Sequence, residues 1–188
     1  VFVPRAEKAG LLLTVDRLVG TQTPRLVRRR PGASGPVGLS LGDQSLLSRE
    51  FRREPFFELV QSRGSINEGL VLQLSESQVT RHYEALKRPL RALRMLGCRL
   101  AIDHAGQDVV STQYIKEFEI HFLKLHPSLV REIHLRQVNQ MAVRSLVGGC
   151  ANTQARVIAV GVESGDEWKM LRHLGVHAGQ GPWFAEPE

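Results

Sequence analysis

Six short apolar runs along the chain, each ending in a residue that could face a common site, constrain the fold more than any other feature of the sequence. They are Val37–Leu41, Leu70–Leu74, Arg99–Asp103, Phe122–His126, Val157–Glu163 and Ala178–Gly181. Stretches with helical spacing separate most of them. Apolar strands alternating with helices are the signature of a β/α repeat, in which parallel strands are buried on both faces. In such folds the residues at the carboxyl ends of the strands share one face, and that face carries the chemistry. Those strand ends are therefore where a site should lie.

The residues around these ends carry a family resemblance. Ala-Ile-Asp103-His104-Ala-Gly106, Lys124-Leu-His126, Ala159-Val160-Gly161-Val162-Glu163-Ser and Gln180-Gly181 follow the order and approximate spacing of the EAL-domain pattern. Upstream, Phe2-Val3-Pro4-Arg5-Ala6-Glu7-Lys8-Ala9-Gly10 and Leu72-Gln73-Leu74-Ser75-Glu76-Ser77 resemble two further segments of that family. The resemblance implies an α/β fold, an EAL-type (β/α) TIM-like barrel. It further implies a single domain over residues 1–188 that lacks the first strand region with the Glu-Ala-Leu motif. A full barrel of this kind usually needs about 250 residues.

EAL enzymes hydrolyse cyclic di-GMP with two divalent cations that clamp the phosphodiester and activate water. Such ions want oxygen ligands and negative charge. In this chain the position of the family's metal-binding Asn is Ser40, a Glu position is Gln73, the second Asp of Asp-Asp is His104, the Asp of Lys-Ile-Asp is His126, and a Glu position is Val160. Asp103, Lys124, Glu163 and Gln180 keep the family residue. Valine ligates nothing, and each lost carboxylate removes charge from a site that must balance about four positive charges. The expectation is a degenerate domain with no catalytic residues, no cofactor and no metal, in which Lys124 pairs with Asp103 structurally and Gln180-Gly181 makes a turn.

Asp103, His104 and His126 also raise a 2-His-1-carboxylate ligand set. On a continuing strand, however, the side chains of Asp103 and His104 would point to opposite faces.

The run from Ala101 to Lys116, then Lys124-Leu-His126-Pro-Ser-Leu-Val130, Asn139-Gln140, Thr153-Gln154-Ala155 and Gly179-Gln-Gly181, resembles the degenerate EAL domains of CsrD-type and MshH-type regulators. This narrower resemblance implies a cytoplasmic domain of an inner-membrane-anchored bacterial protein. It implies binding to unphosphorylated enzyme IIA-glucose and control of RNase E-dependent decay of small RNAs. The binding surface expected is an exposed apolar patch with arginines at its rim, on the Val109-Val110 loop or the outer helices.

Charge leaves a rival open. The chain carries a net charge of +6 with a pI near 9.9. Basic excess favours polyanions, and lysine appears only at 8, 87, 116, 124 and 169, so arginine dominates. Arg25, Arg28, Arg29 and Arg30 form the sharpest possible polyanion-binding cluster, followed by a Pro/Gly-rich connection to Pro36. Arg88, Arg91 and Arg94 ride on a helix whose Leu86, Leu90 and Leu93 form its apolar side, with Arg99 beyond it. Direct RNA contact and non-catalytic cyclic di-GMP binding are the alternatives. No run of interleaved aromatic and basic residues marks a stacking platform. No apolar stretch reaches the ~18 residues a membrane span needs. Cys98 and Cys150 have no Cys-x-x-Cys spacing and read as reduced, buried thiols.

Overall fold

The computed structural model describes residues 11–28, 37–48, 70–107 and 112–185. All six apolar runs form strands: β1 (Val37–Ser40), β2 (Leu70–Ser75), β3 (Arg99–Ala105), β4 (Phe122–Leu125), β5 (Arg156–Val160) and β6 (Ala178–Gln180). The helices among the described residues are α1 (Leu12–Arg28), α2 (Asp43–Leu47), α3 (Glu76–Arg81), α4 (Tyr83–Met95), α5 (Thr112–Glu117), α6 (Pro127–Val130), α7 (Gln137–Cys150) and α8 (Gly165–His173), with a 3-10 turn at Ile133–Leu135. The chain divides into two compact units, Val1–Leu74 with Arg81–Leu100, and Ser75–Thr80 with Ala101–Glu188.

In the first unit β1 and β2 pair in parallel, Val37 opposite Leu70 through Ser40 opposite Gln73. Leu70, Val71, Leu72 and Leu74 are all buried, the mark of a strand covered on both faces. Helix α4 presents Leu86, Pro89, Leu90 and Leu93 to this core and leaves Arg88 and Arg91 exposed, as its spacing requires. A buried carboxylate ties α1 to the loop after β1: Asp16 accepts hydrogen bonds from the Gly42 amide (2.7 Å) and the Ser45 hydroxyl. Arg25 and Arg28 fall in the final turns of α1; Arg29, Arg30 and the Pro/Gly-rich connection lie outside the described residues.

In the second unit β3, β4, β5 and β6 pair in parallel in chain order. Its core is built from Ala101, Ile102, Leu123, Leu125, Val157 and Ala159 on the strands, backed by Ile115, Val143 and Leu171 of the helices. Short sequence signals start two of its helices. Ser75 and Gln78 bond each other's backbone at the start of α3, and Ser164 and Glu167 form the same reciprocal box at α8. Each box satisfies amides that a helix start leaves without intrahelical partners.

Among the described residues no helix is long and apolar enough to cross a membrane. Cys98, in the first unit, and Cys150, in the second, are both buried and unbridged, and burial pushes each thiol up to about 11.

Candidate functional site

Each unit places its share of the sequence-marked residues at strand ends. In the first, Ser40 closes β1 and is exposed, opposite Gln73 in the register. The Gln73 carboxamide lies across Gly38, in space that a Cβ there would need. The backbone carbonyl of Gln73 accepts from the Leu41 amide at 3.1 Å, which extends the ladder past the end of β1.

In the second unit, Asp103, His104, Lys124 and His126 are brought together. Lys124 Nζ stands 3.7 Å from Asp103 Oδ2, the ion pair that strand alternation implied, and both side chains are largely covered. The expectation that Asp103 and His104 face opposite ways does not hold. His104 takes a left-handed φ of 59°, and the β3–β4 register shifts between Ile102 and Ala105. This irregularity breaks the period-2 alternation. His104 Nδ1 then comes within 3.7 Å of Asp103 Oδ1, while its ring lies 5.4 Å from that of His126.

His126 is occupied with a structural task. It is the N-cap of α6, where Nδ1 accepts from the Ser128 amide at 3.1 Å and lies 2.8 Å from the Ser128 hydroxyl. An Nδ1 that accepts a backbone hydrogen bond must be unprotonated, so the neutral imidazole is the form that caps. Burial lowers the His126 pKa, the neighbouring His104 lowers it further, and Asp103 opposes both.

Val160 ends β5 half-buried. Glu163, three residues on, is exposed and accepts from Arg131 at 2.9 Å. That hydrogen bond, and the charge of Glu163, raise the arginine's pKa. Gln180 is exposed at the end of β6, and its carbonyl accepts from the Gly161 (2.7 Å) and Val162 (3.1 Å) amides. The turn expected at Gln180-Gly181 is present: Gly181 has φ 153°, and a Cβ there would strike the Val162 backbone.

Of the sequence-marked strand-end residues, the two carboxylates, Asp103 and Glu163, each stand beside a cation, Lys124 and Arg131. Among the described residues no three His, Cys, Asp or Glu side chains are placed to hold a metal ion. The 2-His-1-carboxylate reading fails here on the capping role of His126, whose Nδ1 lone pair faces the Ser128 amide.

Sequence reasoning passed over the side chains that set the loops around this face. The buried Glu167 accepts from the amides of Glu163 (2.7 Å), Ser164 (3.2 Å) and Glu132 (2.8 Å), and the last of these has a left-handed φ of 53°. Glu76 accepts from the amides of Gly106 and Gln107, both at 3.0 Å. Asn139 donates to the carbonyls of Ser128 and Leu129, and Gln140 to that of Ile133. The Ser164-x-x-Glu167 spacing was a legible capping signal; the reach of Glu167 to Glu132, 35 residues away in sequence, was not.

Parallel strands met in chain order, linked by helices and closed by polar strand ends, define an α/β, TIM-like class of protein. The EAL-domain family model matches residues 1–187, and the chain belongs to that family. It is 36% identical over 187 residues to the RNase E specificity factor CsrD of Escherichia coli, a likeness covering 100% of this chain and 29% of CsrD. It is 28% identical over 191 residues to the Escherichia coli cyclic di-GMP phosphodiesterase PdeR, covering 99% of this chain and 28% of PdeR. The chain thus spans less than a third of these curated relatives. The FimX EAL domain from Pseudomonas aeruginosa, solved bound to c-di-GMP, superposes with a TM-score of 0.79 at 24% identity, over 100% of this chain and 75% of that one. At that identity the likeness is one of fold.

Proposed function

We propose that residues 1–188 form one degenerate EAL domain that has no phosphodiesterase activity and works as a protein-binding regulator. It binds unphosphorylated enzyme IIA-glucose and so directs RNase E-dependent decay of regulatory small RNAs, within a protein anchored at the inner membrane. The observation that carries this reading is the likeness to the RNase E specificity factor CsrD along the whole chain.

The strand ends support the absence of catalysis. Val160 offers no ligand atom, the His126 lone pair caps α6, and Asp103 and Glu163 stand beside Lys124 and Arg131. Metal-dependent phosphodiester cleavage needs ions held by oxygen ligands and a bound water made nucleophilic. Groups that act as a unit fail together when several are lost.

A surface suited to a partner accompanies this. Val138 and Met141, three apart on α7, are strongly exposed, as is Leu135 in the turn before it, with the exposed Arg136 and Arg144 close by in sequence. Large apolar groups left exposed on one helix face, as Val138 and Met141 are, mark a contact site. Phosphorylation of a partner histidine would set charge against this apolar stripe and weaken the contact. The Val109-Val110 loop lies outside the described residues.

Calorimetric titration of the full EAL region tests the proposal. Micromolar binding to unphosphorylated enzyme IIA-glucose is expected, with none to the phosphorylated form and none to cyclic di-GMP with Mg²⁺. Heat from cyclic di-GMP and silence from enzyme IIA would make the domain a nucleotide receptor and overturn this reading. Met141→Asp should weaken the protein contact about tenfold or more, since a charge would be desolvated at the centre of an apolar contact.

A further inference from the structure

Residues that no sequence run joins are assembled around α8. Phe184, just past β6, meets Trp168 of α8 edge-on, with ring centroids 5.1 Å apart at 84°. The guanidinium of Arg172, one turn along, lies over the Trp168 ring at 5.8 Å. Trp183 rests on Gly165, the first residue of α8, and the Phe184 and Trp168 rings lie against Gly179, so both glycines leave room that a Cβ would fill. Despite this packing, Trp183 remains 53% exposed and Phe184 44%. Lys169, Arg172, His173 and His177 are exposed on α8 and just beyond it, together with the acids Asp166 on α8 and Glu163 just before it, the latter beside Arg131.

The sequence shows no aromatic-basic stacking platform because its members come from two segments that only the β6 turn brings together. Trp183 is held there by its amide, which bonds the Val162 carbonyl at 3.1 Å, and Phe184 by its bond to the Gly181 carbonyl at 3.0 Å. These bonds fix the backbone that carries the two rings, and packing on Gly165, Gly179 and Trp168 holds the rings themselves, which lowers the ordering cost of binding.

We propose that Trp183, Phe184, Trp168 and Arg172 form a stacking site for unpaired bases of single-stranded RNA. Every base presents a π-face, so exposed aromatic rings bind single strands with little sequence preference, and cations on the same surface hold the phosphates. The surroundings favour this ligand over an apolar protein face, since the cations Lys169 and Arg172 stand beside the exposed rings on a chain of net charge +6.

The test uses a property of the sequence: Trp168 and Trp183 are the two tryptophans of the chain, so intrinsic emission reports this site directly. Single-stranded oligoadenylate at low salt should quench that emission saturably, with affinity falling as salt rises, and duplex RNA of equal length should quench far less. Trp183→Ala should weaken binding about tenfold or more, read by anisotropy of labelled RNA, and Trp183→Phe should keep most of it with an unchanged unfolding midpoint. Arg172→Gln should weaken binding and flatten its salt dependence. Unchanged emission with RNA, equal effects from inorganic polyphosphate, or undiminished binding by Trp183→Ala would each overturn the proposal, as would emission that responds only to a partner protein.

Discussion

At the scale of single residues, two side chains carry sharp expectations. Glu167 is buried and accepts three backbone hydrogen bonds, from Glu163, Ser164 and Glu132. Glu167→Gln puts an amide NH₂ against N–H donors and should cost about 1–3 kcal/mol, seen as a lower urea midpoint; an unchanged midpoint would refute the role. His126 ties stability to pH. Its folded pKa is lowered, by burial first and His104 second, so the unfolded chain takes up a proton at higher pH than the folded one does. Stability is therefore fully present above about pH 6.5 and is lost as pH falls below it. His126→Asn, whose side-chain oxygen can still cap Ser128, should keep stability at pH 7 and flatten this acid limb in melts between pH 7 and pH 5. The residue types at the strand ends were legible in the sequence, and so was the Asp103–Lys124 pair, which follows from strand alternation. The contact of Arg131 with Glu163 spans 32 residues, and no local pattern announces a pairing of that kind. His104 was misread because alternation assumes a regular strand, and a left-handed residue there interrupts it.

At the scale of elements, hydrophobic patterning located all six strands because each is short, apolar and bounded by turn residues. Their length needed no tertiary information: parallel strands buried on both faces have to be apolar throughout. What patterning could not supply was the anchoring between elements. Asp16 in α1 reads as an ordinary polar helical residue until its carboxylate is seen to hold Gly42 and Ser45. Asn139 and Gln140, which the sequence offered only as points of resemblance, fasten α7 to α6 and to the 3-10 turn. Helix α7 also carries an unforced weakness. Gly148 lies inside it, and a Cβ there would meet nothing within 4 Å. Gly148→Ala should therefore stabilise the fold by about 0.5–1 kcal/mol, measured by denaturant titration; destabilisation would show that the glycine has a packing role.

At the scale of the whole molecule, composition and charge spoke to ligand class and left location open. A net charge of +6 admits many polyanion sites; the fold gathers the rings beside α8, while of the Arg25–Arg30 cluster Arg25 and Arg28 are among the described residues and Arg29 and Arg30 are not. The chain also divides into two compact units, each with one buried cysteine, Cys98 in the first and Cys150 in the second. With both thiols raised to about 11, native protein should resist alkylation at pH 8, and each site should react only as its surroundings open. Pulsed labelling across a denaturant series, read by peptide mass, should show one shared midpoint if the units unfold together and two if they do not. Rapid labelling of either thiol in native buffer would contradict its burial. The sulfurs are thus a pair of built-in clocks, each timing the opening of its own half of the chain without any added probe.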